Sequence, residues 1–440
     1  MKRKAENPPS SRPKKQKADP PPIPDYCDTS PIKDEHGTVW PASREAMFSA
    51  RNFIHEAATS NSPVLIVPDK DADGLSSGVI IHRTLTSLGL SPDLISVHLI
   101  SKGTTIHDDP ERAAMSAHNP SYIIIVDQGS RPGPPIIDNP DTKSLIIDHH
   151  LCDSFPSNAI VVSACNHPPV ATSALLTYEL CKGYSSIADS CAYLCAMGTI
   201  GDLGTTLKWK PPFPDLSATF KEHTKKALND AVSLLNAPRR TAKFDVISAW
   251  TALLASSSPK DLLTNRRLRE ARDEINDEIE RRTHAAPKFS KDGKIAVLRI
   301  ESAAQVHPVI ATRWAGHLKS PRLEIVMVAN SGYLPGMVNF SCRIARCARG
   351  RGQEVNIIDT LKEVAALDEG NLVERMGESF ARGHREASGG FIPTREFEEL
   401  MELIKLGEKP DKAERESPKK KQVETTPQKN NLKNYFAVKT

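Results

Sequence analysis

The stretch Pro63-Val64-Leu65-Ile66-Val67-Pro68-Asp69-Lys70-Asp71-Ala72-Asp73-Gly74 runs through four consecutive apolar residues into three aspartates within five positions, and its glycine opens a helical pattern. That is the pattern of a buried strand delivering carboxylates to its own carboxyl end, the edge of an open α/β sheet where ligands bind. Three acids so close repel one another unless a cation sits between them, and hard divalent metal ions fill that role. Aspartate is also a good N-cap and turn former, so the same residues suit a loop that caps the next helix. The stretch alone leaves both readings open.

Around it, strand-like runs recur at 94–100, 122–127, 144–148 and 159–164, alternating with longer segments. Helical patterns cover 43–56, 74–88, 171–183 and 187–199. Strands separated by such segments predict a parallel sheet with crossover helices. Two more of these runs end in aspartate, Asp127 and Asp148, and Asp148 leads directly into His149-His150. Asp202 follows a helical pattern. The charged run over 260–283 alternates acids and bases at helical spacing and reads as a solvent-exposed helix, a connector. A second α/β unit begins near Lys294, with strands at 295–300, 324–329 and about 337–343 and helices near 308–318 and 355–366. It closes on the small-residue loop Arg382 to Gly390, whose backbone N–H groups could approach an anion.

These patterns predict an α/β protein with a parallel-sheet domain over 41–258, a helical connector over 259–290 and a smaller α/β domain over 291–408. Residues 1–40 and 409–440 are rich in Lys, Pro, Ser or Glu and poor in the apolar residues a core needs, so both are expected to be disordered. The formal charge of +4 conceals basic tails, +5 over 1–24 and +5 over 409–440, around a middle of −6. An acidic core that handled an anionic substrate would need metal ions or local Arg and Lys to reverse the sign at the site. Lys2-Arg3-Lys4 with Lys14, Lys15 and Lys17 form two spaced basic clusters, as in a bipartite nuclear localisation signal, and Lys419 to Lys421 form a further cluster. No apolar run approaches the ~20 residues a membrane span requires. The basic N-terminus lacks the apolar core of a secretory signal, which points to a reducing compartment. The eight cysteines are scattered, and neither Cys191 with Cys195 nor Cys342 with Cys347 has zinc-ribbon spacing, so they are read as free thiols.

Asp69, Asp71, Asp127, Asp148, His149, His150 and Asp202 are distant in sequence, but the ends of parallel strands are neighbours in space. Carboxylates with imidazole around one crevice make a mixed oxygen and nitrogen site for Mn²⁺ or Mg²⁺. A bridging carboxylate would hold two ions about 4 Å apart, a geometry suited to phosphate-ester hydrolysis.

The chain here resembles the DHH phosphoesterase superfamily, and within it the RecJ-like members with a DHH-associated C-terminal domain. PDKDADG, IIIVDQGS, IIDHH and GTIGDLG match its first four motifs, and SCRIAR and RGHREASGG match the C-terminal domain, all in order between about 60 and 395. The resemblance implies that Asp69 binds one metal and Asp71 the other, that Asp127 bridges them, and that His149 and Asp202 complete the second ion's shell. It places His150 beside the scissile phosphate and makes Asp148 the group that orients the histidines. Asp73 is assigned to support. From the second domain Arg343 and His384 would grip substrate phosphate, with Gly389 and Gly390 shaping the loop.

The chain departs from the family pattern in two places. Leu65 stands where some branches carry a metal-binding histidine, as it does in RecJ-like members, which argues against a pyrophosphatase-like site. The glycines before the loop histidine are reduced to Ala381-Arg382-Gly383, so Arg382 could supply an extra phosphate contact. No oligonucleotide-binding fold is expected after the second domain, so long-strand affinity falls to the basic tails or a partner. Near the end, Leu432 with Tyr435 and Phe436 resembles the box that binds the sliding clamp (PCNA), although Lys429 stands in place of its usual glutamine.

The expectation is a nuclear Mn²⁺- or Mg²⁺-dependent exonuclease on single-stranded nucleic acid that releases nucleoside monophosphates in replication or repair. The alternatives are an oligonucleotide or small-molecule phosphoesterase, and a non-catalytic replication scaffold on the same fold.

Overall fold

The computed structural model describes residues 30–184, 187–352 and 354–409. The chain divides into two compact units. The first comprises 1–284 together with 301–306 and 332–335, and the second 285–300, 307–331 and 336–440.

The first unit begins with a short hairpin, β1 (Ile32–Asp34) and β2 (Gly37–Val39), and helix α1 (Arg44–Thr59), capped by Ser43. Its centre is a parallel sheet of β3 (Val64–Pro68), β4 (Ile95–Val97), β5 (Tyr122–Val126), β6 (Lys143–Asp148) and β7 (Ala159–Ser163) in the order β4-β3-β5-β6-β7. The chain steps outward from β3 to β4 and returns to place β5 on the other side, so the order reverses between β3 and β5. All five residues of both β3 and β5 are buried. That is the signature of strands covered on both faces, and it explains why they read as unbroken apolar runs. Val64, Ile66, Ile124, Val126, Leu145 and Ile147 point into the larger core, while Leu65, Val67, Ile123, Ile125 and Ile146 point into a smaller one with Ile106 and Met115. Each such side chain contributes about 1.5–3 kcal/mol by leaving water.

Helices α2 (Ala72–Ser87), α3 (Asp109–Ala117), α4 (Ser173–Cys181), α5 (Ile187–Ser190) and α6 (Ala192–Leu203) accompany the sheet. A helical layer follows, with α7 (Ser217–Glu222), α8 (Lys225–Leu235), α9 (Val246–Ala255), α10 (Pro259–Thr264) and α11 (Arg266–Arg282). The expected exposed connector is different in the structure. Helix α11 buries Leu268, Ala271, Ile275 and Ile279, an i, i+3, i+7, i+11 stripe, and it lies within the first unit. The strand expected over 94–100 is paired only at Ile95–Val97.

The second unit holds a six-stranded sheet of β8 (Lys288–Phe289), β9 (Ile295–Ile300), β10 (Ile325–Asn330), β11 (Met337–Ile344), β12 (Arg382–His384) and β13 (Ala387–Pro393), in the order β12-β13-β11-β10-β9-β8. Only β9 and β10 are parallel. Helices α12 (His307–His317), α13 (Arg346–Arg349), α14 (Ile357–Ala365), α15 (Leu372–Met376) and α16 (Thr394–Leu403) complete it around Phe340 and Phe397. The expected anion-binding loop from Arg382 to Gly390 is instead a β-hairpin, β12 turning into β13. Among the described residues no helix is long and apolar enough to cross a membrane. Residues 1–29 and 410–440, with the basic clusters and Leu432, Tyr435 and Phe436, lie outside the described residues. The last part of the tail expected to be disordered over 1–40 is ordered, because β1 and β2 pair as a hairpin there.

Candidate metal centre

Adjacent strands β3, β5 and β6 each end in an acid, and their register brings these ends side by side. Asp69 follows β3, Asp127 follows β5, and Asp148 is the last residue of β6. The crevice therefore lies at the point where strand order reverses, the place where such sheets bind ligands.

Carboxylate oxygens of Asp69, Asp71 and Asp127 lie within 4.8 Å of one another, and so do ligand atoms of Asp127, His149 and His150. Asp127 thus belongs to both groups. Nε2 of His149 is 3.4 Å from Oδ1 of Asp127, 3.8 Å from Oδ2 of Asp73 and 3.9 Å from Oδ2 of Asp202. Asp202 occupies the last turn of α6 and is partly exposed at the edge of the site.

Each acid is held by local backbone geometry. Asp71 caps α2 by accepting from the N–H groups of Asp73 (3.0 Å) and Gly74 (3.4 Å), so the helix cap and the candidate ligand are one side chain. Asp127 has a left-handed backbone with φ +63°, which turns the chain sharply out of β5. Its Oδ1 accepts from Ser173 Oγ at 2.9 Å. Asp73 is buried and faces inward, where its two oxygens accept from the N–H groups of Ser173 (2.8 Å) and Ala174 (2.9 Å) at the start of α4. Asp148 is fully buried and accepts from the N–H of Ser130, the N–H groups of His149 and His150, and Nδ1 of His150 at 2.8 Å.

Burial pushes the Asp127 carboxyl well above the carboxylate range, and repulsion from Asp73 adds to it. Burial likewise raises Asp73 to about 7. Burial opposes the charged form of His149, but its hydrogen bond to Asp127 outweighs this and lifts it to about 10. The hydrogen bond to Asp148 lifts His150 to about 9. Such crowding of buried carboxylates is relieved by cationic charge, and the oxygen-rich set with one or two imidazoles fits a hard or borderline divalent ion. Protein cations already approach the rim. Lys70 Nζ is 3.3 Å from Asp69, and Arg239 Nη2 is 3.8 Å from Asp71.

Residues 63–199 match the family described as DHH family, N-terminal domain. These residues form a DHH-family N-terminal domain. Among solved structures, RecJ from Thermus thermophilus in complex with Mn²⁺ is 17% identical with a TM-score of 0.57, covering 83% of this chain and 55% of that one. The same protein with Mg²⁺ is 16% identical with a TM-score of 0.54, covering 83% and 52%. An exonuclease RecJ bound to manganese is 19% identical with a TM-score of 0.54, covering 83% and 94%. The chain therefore spans about half the length of the Thermus protein, and at these identities the likeness is one of fold. No curated protein sequence matches significantly.

The first unit brings together Asp69, Asp71, Asp127, His149, His150 and Asp202, with Asp148 beneath the histidines. The other expected residues belong to the second unit. Arg343 is half-buried, and its Nη1 donates to Ser341 Oγ and the Cys342 carbonyl. His384 aligns with Ala387, which aligns with Arg343, so the three form one cross-strand row. Gly389 and Gly390 are strand residues, glycine by close approach. A Cβ at Gly389 would run into the Phe340 carbonyl oxygen, and one at Gly390 into the Ser379 carbonyl oxygen. Arg382 Nε donates to the Glu378 carbonyl.

Three contributors lay outside the sequence reading, namely Ser173, Asn236 and Arg239. Asn236 Oδ1 accepts from the N–H of Ala72 at 3.1 Å and so fastens the Asp71 loop. Its partner lies 164 positions away. No local pattern marks such a pairing, although Pro238 does announce the turn that follows.

Proposed function

We propose that the protein is a metal-dependent phosphodiesterase, an exonuclease that removes nucleoside monophosphates from single-stranded nucleic acid. The observation that carries this reading is the convergence of Asp69, Asp71 and Asp127 with His149 at the ends of β3, β5 and β6. Asp69, Asp71, Asp127, His149 and Asp202 would hold two Mn²⁺ or Mg²⁺ ions. Bound there, such ions supply an activated water and neutralise charge developing on phosphate oxygens.

The chain's own groups do the rest. Asp127, shared by both ligand groups, fixes the two halves of the site against each other. His150 stands at the mouth with 60% of its side chain exposed. With Asp148 accepting at Nδ1, its Nε2 is left to donate to a phosphate oxygen. In the metal-free protein the hydrogen bond to Asp148 raises its pKa to about 9. From the second unit, Arg343 and His384 would supply further donors for substrate phosphate, as the family resemblance implies.

The test uses end-labelled single strands of DNA and RNA of several lengths, with Mn²⁺ and with chelator. Stepwise shortening only in the presence of metal is expected, and an Asp71→Ala, Asp127→Ala double variant should be folded and inactive. Cleavage confined to two to five nucleotides would move the reading to an oligonucleotide phosphoesterase. No cleavage at any length would leave a scaffold role.

Localisation to the nucleus, through the basic clusters at 2–4 and 14–17, is part of the proposal, as is sliding-clamp (PCNA) binding through Leu432, Tyr435 and Phe436. Unchanged clamp binding by a Tyr435→Ala, Phe436→Ala variant would remove the second.

A further inference from the structure

Between Arg343 and Gly352 the chain carries four arginines and no acid. Helix α13 begins two residues after β11 ends, so Arg346 and Arg349 stand one turn apart on its surface. The two-residue turn of the β12–β13 hairpin, Arg385-Glu386, is held at the same place. The N–H of Ile344 donates to the Glu386 carbonyl at 3.4 Å, and Arg349 Nη2 is 3.2 Å from Glu386 Oε2. Ala387, the next residue, pairs with Arg343 across the sheet. The Arg385 carbonyl accepts from the N–H of Ile357 at 2.8 Å, which fixes the turn.

The arginines gathered here fall into two kinds. Arg351 serves the fold, its Nη2 donating to the Leu323 carbonyl at 2.6 Å and its Nη1 to the Ser320 carbonyl at 3.3 Å. Arg382 is matched by Glu378, 3.6 Å away. Arg346, Arg349 and Arg385 are exposed. The guanidiniums of Arg346 and Arg385 have no hydrogen bond or ion pair among the described residues. Arg349 has Glu386, but that pair is open to water, with side chains 41% and 46% exposed, and such pairs hold their members loosely.

Like charges brought together from two segments repel one another, and packing does not require them at exposed positions. A regularly spaced polyanion relieves that repulsion. Single-stranded nucleic acid offers one phosphate per nucleotide, and the planar arginine fork receives two oxygens of each. We propose that Arg346, Arg349 and Arg385 form a strand-binding ridge on the second unit that holds the phosphate backbone of single-stranded nucleic acid. The identity of the strand rests on the phosphodiesterase reading. Contacts to phosphate carry no sequence information, so the ridge should accept any sequence. It gives long-strand affinity to the folded part of the chain as well as to the basic tails.

The test uses the full chain and a fluorescent single strand of about 20 nucleotides, with anisotropy followed in chelator over a range of salt. The tails stay in place in every variant, so their contribution cancels. The Arg346→Gln, Arg349→Gln, Arg385→Gln triple variant is expected to bind about ten- to a hundredfold more weakly at low salt. Its slope of log affinity against log salt should be shallower by about 2, at about 0.7 for each phosphate lost. The Arg346→Gln, Arg385→Gln double variant, which leaves the Arg349 pair intact, should lose about 1.4. Replacing all three by lysine should keep the slope. Thermal midpoints should stay at the wild-type value, since the three side chains are exposed.

Wild-type affinity and slope in the double and triple variants would overturn the proposal. So would a triple variant that keeps the strand and loses poly-glutamate, because the ridge would then fit an acidic protein. If the strand binds through the ridge and is not cleaved when Mn²⁺ is supplied, the phosphodiesterase reading fails and the ridge stands.

Discussion

Nε2 of His149 lies 3.4 Å from Oδ1 of Asp127, so the imidazole after β6 and the carboxylate after β5 face one another inside the first unit. With its pKa raised to about 10, His149 holds a proton at neutral pH in the metal-free protein. A metal ion needs that nitrogen free, so metal and proton compete. Mn²⁺ affinity should therefore rise between about pH 6.5 and 8.5, by up to about tenfold per unit for each proton displaced. Calorimetric titration in buffers of different ionisation enthalpy should detect about one proton released from His149 per protein. His149→Gln should abolish that release.

Asp148 touches no solvent and serves four donors, so its replacement tests whether the histidines are aimed or merely tethered. Asp148→Asn turns an amide toward groups that themselves donate. It should cost about 2–4 kcal/mol in urea denaturation. Turnover should fall about 10- to 100-fold, the usual result of disturbing a group that orients a metal-site histidine. Unchanged turnover would remove Asp148 from the site.

Gly198 on α6 lies against α4. A Cβ there would run into the Cβ of Ala174 and stand 2.7 Å from Oδ1 of Asp73. Gly198→Ala should destabilise the protein by about 1–3 kcal/mol or more, because helix backbones must separate to admit one methyl group. Gly183→Ala, which would meet nothing within 4 Å, is the control and should lie within about 0.5 kcal/mol of wild type.

Glu111 gives the acid limit of the first unit. Burial opposes its charge, but hydrogen bonds from Thr104 and Ser101 and contact with His98 hold it at about 2, below the usual 4.5. The depressed value means the folded state takes up its proton at lower pH than the unfolded chain does. The contribution is complete above pH 4.5 and is lost as pH falls from 4.5 toward 2. It amounts to about 3 kcal/mol, at about 1.4 kcal/mol per pH unit. Denaturation midpoints of Glu111→Gln should fall less steeply over that window than those of wild type.

The parallel sheet was legible because β3, β5 and β6 are doubly covered, and double burial writes continuous Val, Ile and Leu. The aspartates after those strands were legible for a related reason, since an acid at the end of an apolar run stands out. The inward turn of Asp73 rests on a helix N-terminus 100 residues later in the chain, and no local rule anticipates that partner. Charge alternation concealed the buried stripe of α11, whose Leu268, Ala271, Ile275 and Ile279 are outnumbered by the charged residues between them. Small residues from Ala387 to Gly390 suggested a loop, whereas glycine there serves strands packed too closely for side chains.

The division of the chain into 1–284, 301–306 and 332–335 against the rest has a practical consequence for dissecting this protein. No single cut separates the two units. A fragment ending at 284 would lose Gln305, and with it the hydrogen bonds that steady Arg239 and Arg240. The half that carries the carboxylates is thus not a removable cassette, and grafting it elsewhere would require carrying both distant loops along.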